Sequence, residues 1–169
     1  MNATAISSGL ALMLAMVSPA MAQTAQSHAH HPAAAAAADV DVPAAAKAAV
    51  DVAERFNAAL SSGDLATVEA LLAADVLILE SGGAERSREE YMGHHAVSDA
   101  AFLKGAHRQL LRQRARTAGE FAWVGTESEL HAQKDGKPLT VQSTETMVLK
   151  QTADGWRIVH IHWSSRTRR

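Results

Sequence analysis

The second half of the chain is divided into four segments of similar length by three glycine-containing turns. The turns read TAGE, KDGK and TADG, and the segments cover roughly 108–117, 121–133, 138–151 and 156–165. Glycine at the centre of a short connection is typical of β-hairpins, because a tight turn requires backbone angles that other residues avoid. This half therefore predicts a four-stranded antiparallel meander.

The first half has helical periodicity instead. Apolar residues recur every three or four positions over 44–60, Asp64 can cap a second short helix, and a capping box at Ser87 starts a third helix that runs to about residue 105. Val76–Glu80 predicts a short strand between the second and third helices. We therefore predict an α+β fold in which three helices pack on an antiparallel sheet.

Residues 1–22 have the pattern of a secretory signal peptide. Gly9–Val17 is apolar, Pro19 follows it, and Ala20-Met21-Ala22 supplies the small residues expected at a cleavage site. We therefore expect the protein to be exported, to the periplasm or outside the cell. The folded domain should then span residues 43–166, followed by a basic tail at 167–169.

Residues 23–42 predict a disordered linker rich in alanine and histidine. The uninterrupted alanine run at 33–38 can bury little surface, so it cannot offset the entropy of ordering it. The histidines before it, at 28, 30 and 31, either bind a soft divalent metal loosely or belong to a solvated spacer.

The overall composition excludes several classes of protein. A formal charge of −2 argues against a nucleic-acid partner, which selects clustered basic residues. The absence of cysteine excludes disulfide scaffolds, zinc fingers and thiol chemistry. No apolar run reaches the roughly 18 residues of a membrane span, so we predict no membrane anchor. We also predict no cofactor.

The turns predict which residues lie opposite each other in the sheet. We centre one tight turn on Asp135-Gly136 and the other on Ala153-Asp154. The predicted cross-strand pairs are then Thr126–Glu145, Val124–Met147, Glu145–His162, Met147–His160 and Leu149–Ile158. Alternation places these residues on one side of the sheet. The other side should carry Trp123, Val148, Arg157, Val159, Ile161 and Trp163.

The first strand of the meander carries a row of arginines at 108, 112, 114 and 116. Even spacing predicts that all four lie on one face, with Arg114 opposite Trp123. We interpret the row as a solvated strand or the rim of a dimer.

Both faces of the sheet contain large apolar residues, whereas a single antiparallel sheet usually leaves one face polar. We therefore predict a homodimer through the outer sheet face, the alternatives being a face covered by the chain's own tail or left exposed.

This order of elements, together with the closing segment DGWRIVHIHWSS at 154–165, resembles the nuclear-transport-factor-2-like superfamily and, within it, the SnoaL-like bacterial domains. The resemblance rests on Phe56–Gly83, Ser87–His95 and Ser143–Trp163, and it covers about residues 45–165. It implies a cone-shaped, cystatin-like fold with a ligand cavity between three helices and a curved sheet, and frequent dimerisation. Because this fold hosts isomerases, dehydratases, epoxide hydrolases, polyketide cyclases and binding modules, it implies no substrate.

Ionisable side chains from three elements are predicted to meet in that cavity. The candidate catalytic pairs are His95–Asp99, four residues apart on one helix, and Glu145–His162, opposite each other in the sheet. A carboxylate beside a histidine in an apolar cavity can be tuned to act as a base near neutral pH. The candidate ligand-binding residues are Glu80, Tyr91, Met147 and His160.

The first functional hypothesis is an exported protein that binds a small, mostly apolar molecule and acts as an isomerase, lyase or hydrolase. The second is a ligand-binding or dimeric assembly module without turnover. The third is a metal site, in which His160 and His162 project to one side of their strand as paired ligands. Each histidine taken alone is more often structural than functional.

Overall fold

The computed structural model of the protein describes residues 37–168. The predicted signal peptide and the predicted linker up to residue 36 lie outside the described residues. In chain order the elements are β1 (Asp39–Asp41), a single 3-10 turn (Ala44–Ala46), α1 (Lys47–Ser62), α2 (Leu65–Leu71), β2 (Leu72–Glu80), β3 (Gly83–Glu85), α3 (Arg88–Gly93), α4 (His95–Lys104), β4 (His107–Ala118), β5 (Phe121–Lys134), β6 (Lys137–Thr152) and β7 (Gly155–Thr167).

The strands form one curved seven-stranded sheet in the order β1-β4-β5-β6-β7-β2-β3. Its centre is the predicted antiparallel meander of β4 to β7. At the two sides, β2 joins β7 and β1 joins β4, both in parallel. The predicted α+β class is confirmed. No helix within residues 37–168 is long and apolar enough to cross a membrane.

The helix boundaries follow the capping signals, with one exception. Asp64 accepts a hydrogen bond from the amide of Thr67 at 3.1 Å at the start of α2, and the Ser87 hydroxyl accepts one from the amide of Glu90 at 3.0 Å at the start of α3. The predicted third helix is divided at His94, whose backbone angles are not helical, so residues 37–168 contain four α-helices where three were predicted. Glycine at position 93 lowers the helix propensity where the division occurs.

The hydrophobic core lies between α1, α3, α4 and the inner face of the sheet. Its largest fully buried side chains include Phe56, Leu60, Tyr91, Met147, Ile158 and Ile161. Met147 has no exposed surface and does not line the cavity described below, so its predicted role as a ligand-binding residue is wrong.

The β5–β6 hairpin has the predicted register. Asp135 and Gly136 both have positive φ, 52° and 71°, as the mirror-image turn of a two-residue hairpin requires. Thr126 lies opposite Glu145, and Val124 lies opposite Met147, as predicted.

The register of β7 changes part-way along the strand. Leu149 lies opposite Ile158 as predicted, but Val148 lies opposite His160, so Val159 is an extra residue in β7. Such a bulge exchanges the faces of all later side chains. Beyond the bulge, the cross-strand pairs of β6 and β7 are Met147–Ile161, Thr146–His162 and Glu145–Trp163. The predicted Glu145–His162 and Met147–His160 pairs are therefore wrong.

A second bulge lies in β4, where Leu111 is the extra residue between the pairs Leu110–Ser128 and Arg112–Glu127. It places Arg108 on the inner face and leaves the later arginines on the outer face. The predicted single stripe is therefore wrong. The turn between β4 and β5 is centred one residue later in the chain than predicted. Trp123 therefore lies opposite Arg116 rather than Arg114.

Strand β1 lies within the predicted linker, which was expected to extend to residue 42. Its two aspartates form ion pairs with the outer arginines of β4: Asp39 with Arg114 at 2.7 Å and Asp41 with Arg116 at 2.7 Å. The hydrogen bonds from these arginines hold the pKa values of both carboxyls below their ordinary value. The pairs explain why this short, exposed strand is ordered.

Candidate active site

A cavity of about 580 Å³ lies between α1, α4 and the inner face of the sheet. This volume is in the range of pockets that bind small molecules. Much of its wall is apolar, with Leu103, Leu130, Leu139 and Val141 among the lining residues. The ionisable side chains on the wall are Glu54, Glu80, Asp99, Arg108, Glu145 and Arg166.

The carboxyl group of Glu145 lies on this wall with one donor on each oxygen. The Asn57 amide of α1 donates to Oε1 at 3.1 Å, and the Trp163 indole N–H of β7 donates to Oε2 at 2.8 Å. Burial raises the pKa of Glu145 above its usual value, and the two donors oppose that rise. The carboxyl is therefore fixed in orientation and has an increased affinity for a proton.

Trp163 is itself held by aromatic neighbours. Its ring stacks with Phe56 at a centroid distance of 6.3 Å and is tilted against Tyr91 at 6.1 Å. Contacts at these distances favour an aromatic pair beyond the area it buries. The bulge at Val159 brings Trp163 to the inner face, and the bulge therefore supplies one of the two donors to Glu145.

Arg108 adds a cation to the same wall. Its Nη1 forms an ion pair with Glu54 at 2.9 Å, and Gln113 donates to the other oxygen of Glu54 at 2.6 Å. Arg108 Nη2 and Thr126 Oγ1 are buried without a hydrogen-bond partner among the described residues. Buried polar groups usually have a hydrogen-bond partner. Since these two have none within residues 37–168, each is free to donate a hydrogen bond to an acceptor on a bound molecule.

A second carboxyl, Asp99 of α4, also lies on the wall of the cavity. The Tyr91 hydroxyl donates to its Oδ2 at 3.1 Å. Burial raises the pKa of Asp99, while the hydrogen bond from Tyr91 and the nearby His95 lower it. Tyr91 is fully buried, and burial together with the Asp99 charge raises its pKa. Tyr91 therefore positions Asp99 and does not line the cavity itself.

The predicted pair of His95 with Asp99 is not formed. His95 Nδ1 contacts Oε1 of Glu85, a buried residue of β3, and this contact raises the pKa of His95. The His95 side chain is 52% exposed and is not part of the cavity wall. Glu80, by contrast, lies on the wall as its position in β2 predicted.

His160 and His162 lie on the outer face of the sheet. His160 Nδ1 is 2.8 Å from the carbonyl oxygen of Leu77, and His162 is exposed. Neither lines the cavity. The predicted roles of His160 in ligand binding and of His162 in catalysis are therefore wrong. The third hypothesis, a metal site that uses this pair, required both rings to face the cavity, and neither does.

A family model described as SnoaL-like domain matches residues 50–167. The chain belongs to the SnoaL-like family. The predicted membership of the nuclear-transport-factor-2-like superfamily is thereby confirmed. No match was found among curated proteins.

Solved structures similar to this SnoaL-like domain share its fold. A protein from Shewanella frigidimarina provisionally named a ketosteroid isomerase is 37% identical, with a TM-score of 0.67 over 75% of this chain and 100% of that chain. The S. rosetta CaMKII hub is 21% identical, with a TM-score of 0.62 over 71% and 95%. An NTF2-like protein with a cystatin-like fold from Novosphingobium aromaticivorans is 17% identical, with a TM-score of 0.60 over 69% and 79%. The predicted cystatin-like fold is confirmed.

Several polar residues of this SnoaL-like cavity were not predicted from the sequence. Glu54, Asn57 and Ser61 recur at helical steps along α1 beside its apolar stripe, and this polar row is a signal that could have identified them. Arg108 and Trp163 had no comparable signal, because each reaches the cavity only through a β-bulge.

Proposed function

We propose that this SnoaL-like domain binds a small, mostly apolar molecule in its cavity and transfers a proton to or from it. The observation that carries the proposal is the Glu145 carboxyl, buried on the cavity wall with a raised pKa and one donor on each oxygen. A carboxyl with these properties can accept a proton from a carbon acid near neutral pH and return it.

The reaction class that fits best is an isomerisation or elimination next to a carbonyl group. Glu145 would remove a proton from the carbon beside the carbonyl; the electron pair of the broken C–H bond would form a C=C bond, and the π pair of the carbonyl would move to its oxygen. Arg108 Nη2 and Thr126 Oγ1, both without a partner among residues 37–168, are the donors available for that developing negative charge. Return of the proton to a different carbon would complete an isomerisation.

Asp99 is the second acid–base group in this proposal. It lines the same cavity as Glu145, and its pKa is also raised by burial. Two carboxyls therefore replace the carboxylate–histidine pairs that the sequence predicted. The relative provisionally named a ketosteroid isomerase, at 37% identity, supports an isomerase rather than a hydrolase.

The test is proton exchange and isomerisation with a 3-ketosteroid whose double bond is not conjugated to the carbonyl. Deuterium loss by mass spectrometry and ultraviolet absorbance of the conjugated product report the two steps. Glu145→Gln should lower the rate by roughly 100-fold or more, the usual contribution of a general base. Glu127→Gln, an exposed carboxyl on β5, is the matched control and should not change it. Equal rates for the wild type and Glu145→Gln would contradict the proposal.

We further propose that the protein forms a homodimer through the outer face of the sheet. Trp123, Val148, His160 and Leu77 form a continuous cross-strand row on that face, and Trp123 and Leu77 are 43% and 40% exposed. Light scattering should give twice the mass of the chain, and Trp123→Glu should give a monomer. A wild-type protein that is monomeric at all concentrations would exclude this dimer.

Export remains a proposal that rests on residues 1–22. The mature protein recovered from the periplasm or medium should begin at Gln23, as measured by intact-mass spectrometry. Full-length protein retained in the cytoplasm would contradict it.

A further inference from the structure

Three side chains outside the Glu145 centre form a second cluster. Glu80 of β2, Glu85 of β3 and His95 of α4 each place one candidate ligand atom within 4.8 Å of the others. The β2–β3 hairpin pairs Ile78 with Glu85 and Glu80 with Gly83, so both glutamates project from the inner face of the sheet. The beginning of α4 supplies the histidine.

The carboxyl oxygens of this cluster are incompletely paired. Glu85 is only 3% exposed, and its Oε2 has no hydrogen-bond partner among the described residues. Oε1 of Glu80 is also buried and lacks a partner in the same range of residues. A buried carboxylate oxygen without a donor is costly, so two of them in one cluster indicate that a cationic group is bound there.

The local charge supports the same conclusion. The titratable groups that surround the cluster are Glu80, Glu85, His95, Asp99 and Tyr91. With the histidine neutral and the three carboxyls ionised, the net charge is about −3, and no lysine or arginine among residues 37–168 forms an ion pair with any of them. Protonation of His95 adds one positive charge and so offsets one of the three negative charges, whereas a divalent ion offsets two.

We propose that Glu80, Glu85 and His95 bind a divalent transition-metal ion of the Zn²⁺ type. Mixed imidazole and carboxylate ligands suit such ions, and bonds of roughly 2.0–2.2 Å hold ligand atoms at most about 4.4 Å apart. For the three groups to hold one ion, spacings of up to 4.8 Å have to close slightly and the direct contact of His95 Nδ1 with Glu85 Oε1 has to open; both changes are side-chain movements. His95, which is half exposed, provides the route from solvent. This site does not depend on the acid–base proposal for Glu145.

The experiment is titration of full-length, chelator-treated protein with ZnCl₂, followed by calorimetry and by thermal unfolding. His95→Gln is the decisive variant, because His95 is exposed enough to be replaced without loss of the fold. Its matched control is His94→Gln, which changes the neighbouring exposed histidine. We expect a saturable site that raises Tm in the wild type and in His94→Gln, separate from any binding by the histidines at 28, 30 and 31, and an affinity for this site at least about tenfold lower in His95→Gln.

A second variant, Glu85→Gln, should show the same loss of affinity with its secondary structure retained by circular dichroism. Binding to the histidines at 28, 30 and 31 is common to every variant and therefore cancels in the comparison. Equal stoichiometry and equal Tm increase in the wild type and His95→Gln would overturn the proposal and leave a proton as the neutralising cation. Because none of these readouts measures turnover, their failure is distinguishable from failure of the Glu145 mechanism.

Discussion

The Glu145 centre and the Glu80–Glu85–His95 cluster are both built from buried carboxyls, but their hydrogen bonding differs. Glu145 has a donor on each oxygen, from Asn57 and Trp163, whereas each glutamate of the cluster has an oxygen with no partner among the described residues. Burial raises the pKa of Glu145 and of Glu80 alike. The difference shows that burial alone does not define a role: under the two proposals, the donors orient Glu145 as a base, whereas the unpaired oxygens leave Glu80 and Glu85 open to a cation.

The positions of the two regions in the fold explain this contrast. Glu145 lies on a central strand, with β5 and β7 on either side and α1 above it, so neutral donors can reach it from two elements. Glu80 and Glu85 lie on the β2–β3 hairpin at the edge of the sheet, where the side chain that joins them in the cluster is His95 of α4.

The largest effect should come from removing the aromatic donor. Trp163→Ala removes the hydrogen bond to Glu145 and the contacts with Phe56 and Tyr91. We expect a loss of about 3–4 kcal/mol in the free energy of unfolding, as for other large-to-small core substitutions. Urea denaturation measures it. The adjacent His162→Ala, on the outer face, should change stability by less than about 0.5 kcal/mol. If His162→Ala destabilised the protein more than Trp163→Ala, the assignment of these two side chains to the outer and inner faces of β7 would be wrong.

The next largest effect on stability should come from removing Asn57, the other donor to Glu145. Asn57→Ala leaves Oε1 of Glu145 unpaired, so we expect a loss of about 1–2 kcal/mol and a further rise in the pKa of Glu145. Ser61→Ala, one turn later on α1, is the control, because its hydroxyl bonds only to a backbone carbonyl of the same helix. Thermal or urea unfolding of both variants gives the comparison. An Asn57→Ala protein as stable as Ser61→Ala would show that this donor does not hold the carboxyl.

The fold was predictable wherever a local signal fixed it. The caps at Asp64 and Ser87 and the Asp135-Gly136 turn each determine their own geometry, and the register of β5 and β6 follows from that turn. The prediction of β7 was correct near its turn, where Leu149 lies opposite Ile158, and became wrong beyond Val159.

The site was less predictable because it depends on features without a local signal. Neither Leu111 nor Val159 is a glycine or proline, so the bulges depend on packing against neighbouring strands rather than on backbone preference. One extra residue at Val159 exchanges His162 for Trp163 as the neighbour of Glu145. The contact of Glu85 with His95 joins a three-residue strand to a helix, and a strand so short has no periodicity to detect.

The third substitution should raise the stability of the protein rather than lower it. Glu80→Gln removes a charge that burial, Asp99 and Glu85 all disfavour, in that order of importance. In chelator-treated protein at pH 8 we expect a gain of about 0.5 kcal/mol, a value reduced for the solvent that still screens this side chain. Glu89→Gln, an exposed carboxyl in the first turn of α3, should give no gain. Destabilisation by Glu80→Gln in metal-free protein would mean that Glu80 has a donor after all.

The smallest effect is the pH dependence of that gain, and it separates charge from packing. Burial and the neighbouring Asp99 and Glu85 raise the pKa of Glu80 above its ordinary value. Its contribution to stability is therefore fully present below the unfolded-state pKa, near pH 4, and is lost as pH rises through the folded-state pKa. The gain from Glu80→Gln should therefore vanish near pH 4 and grow towards pH 8. Asp39 and Asp41, whose pKa values are lowered, contribute with the opposite sign, but they are the same in both proteins and cancel. Urea denaturation of both chelator-treated proteins at each pH measures the difference. A gain that is constant between pH 4 and pH 8 would assign the effect to side-chain packing, and the contrast between the two carboxyl regions would then not be electrostatic.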